Sequence, residues 1–353
     1  MNWTFLKDLL STPSVSGNET SSQLIFEKYL EPHFHIKHDS IGNCYAILNN
    51  EHSVTVMLEA HIDQIGFQVT YIDSEGYIYV RANGGIDIAA AIGAHINIQV
   101  RNGHTINGVL GKRPIHTQKP EERRKLPEVE ELWIDTGLLP EQVTNCITIG
   151  DFVAFSPNFL KLGEHRFTSC GLDNKVGIYV IAETLKCLNS ENLSINVVAA
   201  GIVQEEIGCK GAKTAVANLK PQIAICVDVG FATDVPDMSK KKYGDIALGK
   251  GIVITYHTDS NHDMIMMAEQ IAKENSIPFQ RSAHHIPTGG TDTSSIQISG
   301  TGVKTLLLSI PNRYMHTTVE MCDVRDIDAA IDLLTCLVKQ IDLKTKNKMN
   351  LYE

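Results

Sequence analysis

Three apolar, β-branched stretches run straight into side chains that can bind metals or move protons. VTVMLEA leads into His61-Ile62-Asp63, INVVAAGIVQ into Glu205-Glu206, and QIAICV into Asp228. A fourth carboxylate, Asp173, lies in SCGLDNKVG, a turn that opens a helix. A late histidine, His316, follows GVKTLLLSIP in NRYMHTT. In an open α/β sheet, ligands bind in the crevice beyond the carboxyl ends of the strands, so three strands would deliver these groups to one edge. Taken singly, each has a plainer reading: a loop HxD, a solvated strand end, a turn cap at Asp228, a helix cap at Asp173. Their order and placement argue for a common site.

Charge then dictates the chemistry. His61, Asp173, Glu206, Asp228 and His316 supply two imidazoles and three carboxylates, and carboxylates buried together without partners would each cost several kcal/mol or protonate. Two divalent cations sharing one carboxylate remove that cost. Mixed nitrogen and oxygen ligation suits zinc or cobalt, with manganese a third candidate. Two ions about 3.5–4 Å apart can activate a shared water and stabilise the oxyanion that forms. Glu205 is left over and suits the general base. Asp63, two residues past His61, suits an orienting role, accepting a hydrogen bond from the other ring nitrogen.

The elements that must position these groups show in the apolar periodicity. Helical spacing marks 19–34, stopping before Pro32, and then 177–189, 212–219, 262–275 and 328–343. Short core strands read at 43–48, 54–60, 195–203, 222–227, 251–256 and 303–310. Between about 67 and 162 the texture differs: alternating pieces (GFQVTYI, GYIYVRA, HINIQVR, HTINGVLG, FVAFS) are broken by Gly, Asn and Asp turns, the pattern of a small β-barrel or sandwich. The expected architecture is α/β, a helix–sheet–helix domain in two segments, 1–66 and 163–353, with a β domain inserted at 67–162. The charge run KPEERRKLPEVEE, 119–131, reads on its own as a solvated, Pro-punctuated loop.

The series AHIDQIGF, SCGLDNKVG, VQEEIGCKGA, CVDVG, HHIPTGGTDTSS and SIPNRYMHTTVE resembles the glutamyl aminopeptidase family of dinuclear metallopeptidases, which includes the TET aminopeptidases and proteins labelled endoglucanase M. The resemblance extends through GVLGKRPIHTQKPEERRKLPEVEELWIDTG, so it covers nearly the whole chain and implies that the charge run is ordered. It implies a PDZ-like or barrel-like dimerisation domain inserted in the exopeptidase domain, and a dodecamer with inward-facing sites. It implies removal of N-terminal residues from short peptides, with Asp173 bridging the ions, His61 and Asp228 on separate ions, Glu206 and His316 completing the set, Glu205 the base and Asp63 the orienter. Gly290, Thr291 and Asp292, in the loop Thr288–Ser295, would line the substrate pocket. Gln64 stands where the family more often has Glu, and Asn174-Lys175 where it has Asp-Arg, which bears on how the ligands are supported. Candidate cations for an acidic substrate are Arg281, Lys250, Arg313 and the His284-His285 pair. Two other readings stay open: a hydrolase of N-acyl amino acids using the same ions, and a metal-binding assembly protein without turnover.

Composition limits the partners. The 353 residues carry 31 basic and 41 acidic side chains, a net charge of −10, which argues against nucleic acid or anionic membrane. Apolar residues make up 43% and charged ones 20%, as in an ordinary globular protein. Lys7 and Asp8 interrupt the apolar character of the N-terminus, no stretch approaches a membrane span, and none of the eight cysteines sits at CxxC spacing. The expected location is the cytoplasm.

Overall fold

The computed structural model describes residues 1–283 and 290–347. The chain opens with helices α1 (Trp3–Ser11) and α2 (Thr20–Leu30), then strands β1 (His35–His38), β2 (Cys44–Leu48) and β3 (Thr55–His61). Strands β4 (Gly66–Ile72), β5 (Ile78–Asn83), β6 (His95–Gln99), β7 (Thr105–Gly111), β8 (Trp133–Asp135) and β9 (Phe152–Phe155) follow, with short helices α3 (Ile88–Ala91) and α4 (Pro140–Cys146) among them. After β10 (Leu160–Leu162) and β11 (Arg166–Ser169) come α5 (Leu172–Leu188), β12 (Asn196–Ile202), α6 (Lys210–Leu219), β13 (Ile223–Phe231) and α7 (Lys240–Tyr243). The chain then continues through β14 (Ile252–Thr255), α8 (His262–Glu274), β15 (Phe279–Ser282), α9 (Asp292–Gln297), β16 (Lys304–Asn312), β17 (Glu320–Asp323) and α10 (Val324–Lys346).

Eight strands form one sheet in the order β1-β2-β12-β3-β13-β16-β14-β15. The central strands β12, β3, β13 and β16 are parallel, and β12 (NVVAAGI) is buried along its whole length. Such uninterrupted apolar runs belong to strands covered on both faces. One face packs on α1, α2, α5, α8 and α10 in the largest apolar cluster; the other packs on α6 and α9 around Met57, Ala215, Ile296 and Leu307. The C-terminal helix shows why the layer holds: Ile327, Ala330, Leu334, Leu337, Val338 and Ile341 recur at helical spacing and are all fully buried. Each large side chain so buried contributes roughly 1.5–3 kcal/mol.

Strands β4–β9 close a barrel in the order β4-β5-β8-β7-β6-β9 around a separate core that includes Phe67, Ile78, Ile98 and Val153. The expected α/β architecture with an inserted barrel is what the chain adopts. β10, which the sequence pattern groups with the barrel pieces, pairs instead with β11, and β11 with β17, in a small sheet beside the main one. The charge run forms single helical turns at Glu122–Arg124 and Val129–Glu131 with mostly exposed side chains, so it is both ordered and solvated. One element extends past its expected end: β13 runs on to Phe231, which puts Asp228 inside a strand. α5 spans Leu172–Leu188, but Asp173 and Asn174 have non-helical backbone angles, so Asp173 sits in the kinked turn that opens the helix, as the sequence suggests.

Candidate metal centre

His61 is the last residue of β3, and Asp228 lies on the neighbouring parallel strand β13. Glu205 and Glu206 sit in the loop after β12, on the other side of β3. Asp173 enters from α5, and His316 lies four residues beyond β16. These six meet at the carboxyl edge of the sheet. His61 Nε2 is 3.1 Å from Asp173 Oδ1 and 3.5 Å from Asp228 Oδ1. His316 Nε2 is 3.3 Å from Asp173 Oδ2 and 3.5 Å from Glu206 Oε2. The donors thus fall into two groups, His61–Asp173–Asp228 and Asp173–Glu206–His316, each with ligand atoms within 4.8 Å of one another. Asp173 belongs to both, one oxygen to each. His61 and Asp228, expected on separate ions, instead lie on adjacent strands that bring them to the same side of Asp173.

The donor chemistry tests whether cations fit. His61 Nδ1 faces the backbone carbonyl of Asp63 at 3.1 Å, and His316 Nδ1 faces that of Gly85 at 2.6 Å. A carbonyl only accepts, so Nδ1 carries the proton in each ring and a neutral ring turns its Nε2 lone pair towards the carboxylates. A lone pair aimed at anionic oxygens is repulsive unless a cation lies between. Glu206 Oε1 is buried with no hydrogen-bond partner among the described residues. Burial pushes the Glu205 carboxyl up to about 9 and Glu206 well above the carboxylate range, with neighbouring carboxylates adding to the shift. Burial would pull both imidazoles down, but their carboxylate neighbours outweigh it, holding His61 well above its usual value and His316 at about 10. Without dications the fold compensates its crowded anions with protons, so the donor set fits two divalent ions.

Sequence reasoning missed the groups that hold the ligands still. Glu320, 1% exposed at the start of β17, accepts from the backbone N–H of Asp173 (3.0 Å) and of His316 (2.9 Å). Its place four residues after His316 was the available signal. Gly85 comes from the segment just past barrel strand β5, so the inserted domain sets the tautomer of His316. Asp63 Oδ1 lies 3.5 Å from His61 Nδ1, the orienting contact expected of it, and its carboxylate also accepts from the backbone N–H of Glu205 (3.0 Å) and Glu206 (3.1 Å) and from Ser16 Oγ (2.6 Å). The carboxylate therefore clamps the Glu-Glu loop, while its backbone carbonyl is the nearer partner of His61. The Cys209 thiol donates to Glu205 Oε1 at 3.5 Å, and Glu205 Oε2 lies 3.9 Å from His61 Nε2.

Two of the positions that depart from the family pattern touch each other. Lys175 Nζ, fully buried, donates to Gln64 Oε1 (2.5 Å) and to the carbonyl of Thr12 (2.6 Å). Asn174 binds the Val227 carbonyl at 2.8 Å. None of the three belongs to either donor group; their hydrogen bonds tie the start of α5 to β13 and to the segment after β3.

A cleft of about 530 Å³ opens over the donors and is lined in part by Gly290 and Thr291. Asp292 is not in it. That carboxyl is 2% exposed, turned inwards against Glu59, and carried there by the first turn of α9, so it does not line the substrate cleft as the sequence suggested. The candidate cations are elsewhere too: Arg281 pairs with Glu269, Arg313 with Asp234 (2.6 Å), and Lys250 is exposed outside the cleft. His284, His285 and the loop residues 288–289 lie outside the described residues.

A family model described as M42 glutamyl aminopeptidase matches residues 42–333. A lysyl aminopeptidase of Pyrococcus furiosus is 33% identical over 346 residues, covering 97% of this chain and 98% of that protein. Among solved structures, a TET aminopeptidase from a marine sediment Thaumarchaeota archaeon superposes with a TM-score of 0.92 at 25% identity, covering 98% of both chains. The TET1 peptidase of Pyrococcus horikoshii, which can assemble into a tetrahedron or a large octahedral shell, gives 0.85 at 30% identity, with 95% and 98% covered.

Proposed function

The chain belongs to the M42 glutamyl aminopeptidase family, a hydrolase acting on peptide bonds, and on that premise we propose a metal-dependent aminopeptidase acting on short peptides. One observation carries the metal-dependent part of this reading: Asp173 gives one oxygen to each of two His–carboxylate groups. His61, Asp173 and Asp228 would hold one ion, and Asp173, Glu206 and His316 the other. Zinc or cobalt suits the set best. The ions would supply a bridging water of lowered pKa and positive charge against the developing oxyanion.

The chain's own residues supply the rest. Glu205 takes the proton from the attacking water on Oε2, its oxygen nearer the donors, while Oε1 stays held by the Cys209 thiol. It then returns that proton to the departing amine. Asp63 fixes the loop that carries Glu205, and Glu320 and Gly85 fix Asp173 and His316.

Self-association through the barrel is part of the same proposal, and exposed apolar side chains at Tyr71, Val109, Leu139 and Ile149 are available for it. A dodecamer is the expected mass. Among the described residues no helix is long and apolar enough to cross a membrane, and the eight cysteines are free thiols, which supports the cytoplasmic reading. The test is a panel of aminoacyl-anilides and their N-acetylated counterparts, assayed before and after chelation and zinc return. Cleavage confined to free amines and restored by zinc supports the proposal. Cleavage of the blocked substrates favours a deacylase, and no metal-dependent turnover on either favours the assembly protein.

A further inference from the structure

Resting on the aminopeptidase reading, we infer that the part of the cleft beside Asp228 selects an apolar N-terminal residue, with Val253 and Leu307 as the specificity-determining floor. Strand register builds this surface. Asp228 on β13 lies opposite Ser309 on β16, and Ser309 lies opposite Val253 on β14. Two residues along, Leu307 falls beside Thr255 on the same face, and Thr255 lies opposite Ser282 on β15. Ser309, Val253, Leu307, Thr255 and Ser282 all line the cleft. The floor therefore begins at a metal-ligating carboxylate and runs sideways across three strands, where the side chain of a substrate held at the donors would lie.

Its chemistry is uncharged. Thr255 Oγ1 and Ser309 Oγ share a hydrogen bond at 3.1 Å, so the polar groups of this floor are neutral hydroxyls that partly engage each other. Ile246 and Met315 add apolar wall. Besides the metal-centre residues, the ionisable wall groups among the described residues are Tyr243, Cys209, whose thiol burial pushes well above its usual value, and His257, whose ring faces Asp259 at 3.6 Å and which burial holds below its usual value, hence neutral at pH 7. Among the described residues no Lys or Arg lines the cleft. Arg281 neighbours Ser282 in sequence, but the alternation of β15 turns it to the other face, where Glu269 and Tyr256 engage it. A substrate ammonium or carboxylate laid on this floor would lose water and gain no counter-charge.

The experiment uses the zinc-loaded full chain and the 4-nitroanilides of Leu, Met, Phe, Glu and Lys. Leu, Met or Phe is expected to exceed Glu and Lys in kcat/KM by about 100-fold, the scale of discrimination that an unpaired buried charge imposes. Calorimetric titration of leucinamide, lysinamide and glutamic acid α-amide into the zinc-loaded Glu205→Gln variant, where hydrolysis is suppressed, ranks the pocket independently of rate, and leucinamide is expected to bind tightest. Val253→Asp is expected to raise the Lys-to-Leu ratio of kcat/KM by about 10-fold or more. Leu307→Ala, a second variant, should shift preference from Leu towards Phe. Both ratios are read within one preparation, so partial loss of folded protein cancels. Preference of the native chain for Glu or Lys, or leucinamide binding no tighter than the charged amides, overturns the inference. Turnover confined to N-blocked substrates would instead sink the aminopeptidase reading, while the amide titration still decides the pocket.

Discussion

If protons stand in for dications at this site, the metal-free protein must lose stability as pH rises through neutrality. Burial lifts the Glu205 carboxyl to about 9 and that of Glu320 to about 8, both from 4.5. Between pH 6 and 8 the folded chain keeps these two protons while the unfolded chain has released them. A raised carboxyl favours the fold most below its unfolded pKa, and that advantage drains away up to the folded pKa. Each retained proton costs about 1.36 kcal/mol per pH unit, so two over two units remove on the order of 5 kcal/mol. Burial opposes protonation of His316, yet its contact with Asp173 and the charges of Glu206 and Asp173 hold it at about 10, so above pH 6.5 it acts in the same direction. Bound dications would displace these protons, and their stabilisation should grow across the same window. Thermal unfolding of chelator-stripped protein should drop by roughly 5–10 °C from pH 6 to pH 8. Saturating zinc should abolish most of that drop, with at least one proton released per chain when zinc is added at pH 7. A metal-free melting temperature that is flat or rises with pH, or zinc uptake without proton release, would refute the reasoning.

Three substitutions test individual roles. Glu205→Gln should keep both ions by elemental analysis and lower kcat by about 10²–10⁴-fold, the scale of general-base catalysis; near-normal turnover would remove Glu205 from that role. Asp173→Asn exchanges one of the two oxygens shared between the donor groups for an amide nitrogen, so metal content should fall from two ions per chain to one or fewer. Glu320→Ala frees the backbone N–H groups of Asp173 and His316, and zinc affinity measured by competition should weaken about 10–100-fold.

Most of the ligands were legible in the sequence because they follow apolar runs too long and too β-branched to be anything but core strands; Asp173, in a turn that opens a helix, is the exception. His61 and Asp228 show this best, since β3 and β13 are buried almost to their ends. What the sequence could not give was lateral order. β3 and β13 are far apart in the chain yet neighbours in the sheet, and only that adjacency puts His61 and Asp228 in one group. Asp292 misled for a related reason: a Gly-Gly-Thr-Asp turn reads as a loop lining a cleft, but helix α9 starts at the aspartate and carries its side chain inwards. The supports were invisible because most act through backbone atoms. The carbonyls of Asp63 and Gly85 that fix both imidazoles leave no trace in residue type.

Gly85 also makes the inserted barrel a part of the metal centre, which leads to a substitution at its neighbour. Gly84 sits at φ +95°, a conformation that side chains strain, and a Cβ there would lie 2.8 Å from Ile65 Cγ2 and 3.4 Å from Glu206 Oε2. The segment is held on the far side as well, because Asp87 N–H donates to the His316 carbonyl at 3.1 Å. Gly84→Ala must therefore shift the segment, at a strain of about 1–2 kcal/mol, and the shift falls on Glu206 and on the carbonyl that orients His316. Nothing links Gly84 to the His61–Asp173–Asp228 group in the same direct way. Zinc titration of this variant should show one site near its native affinity and one weakened by about 10-fold, which is 1.4 kcal/mol of that strain expressed at the ion. Equal weakening of both sites would mean that the barrel supports the fold as a whole, and two sites of native affinity would mean that it supports neither.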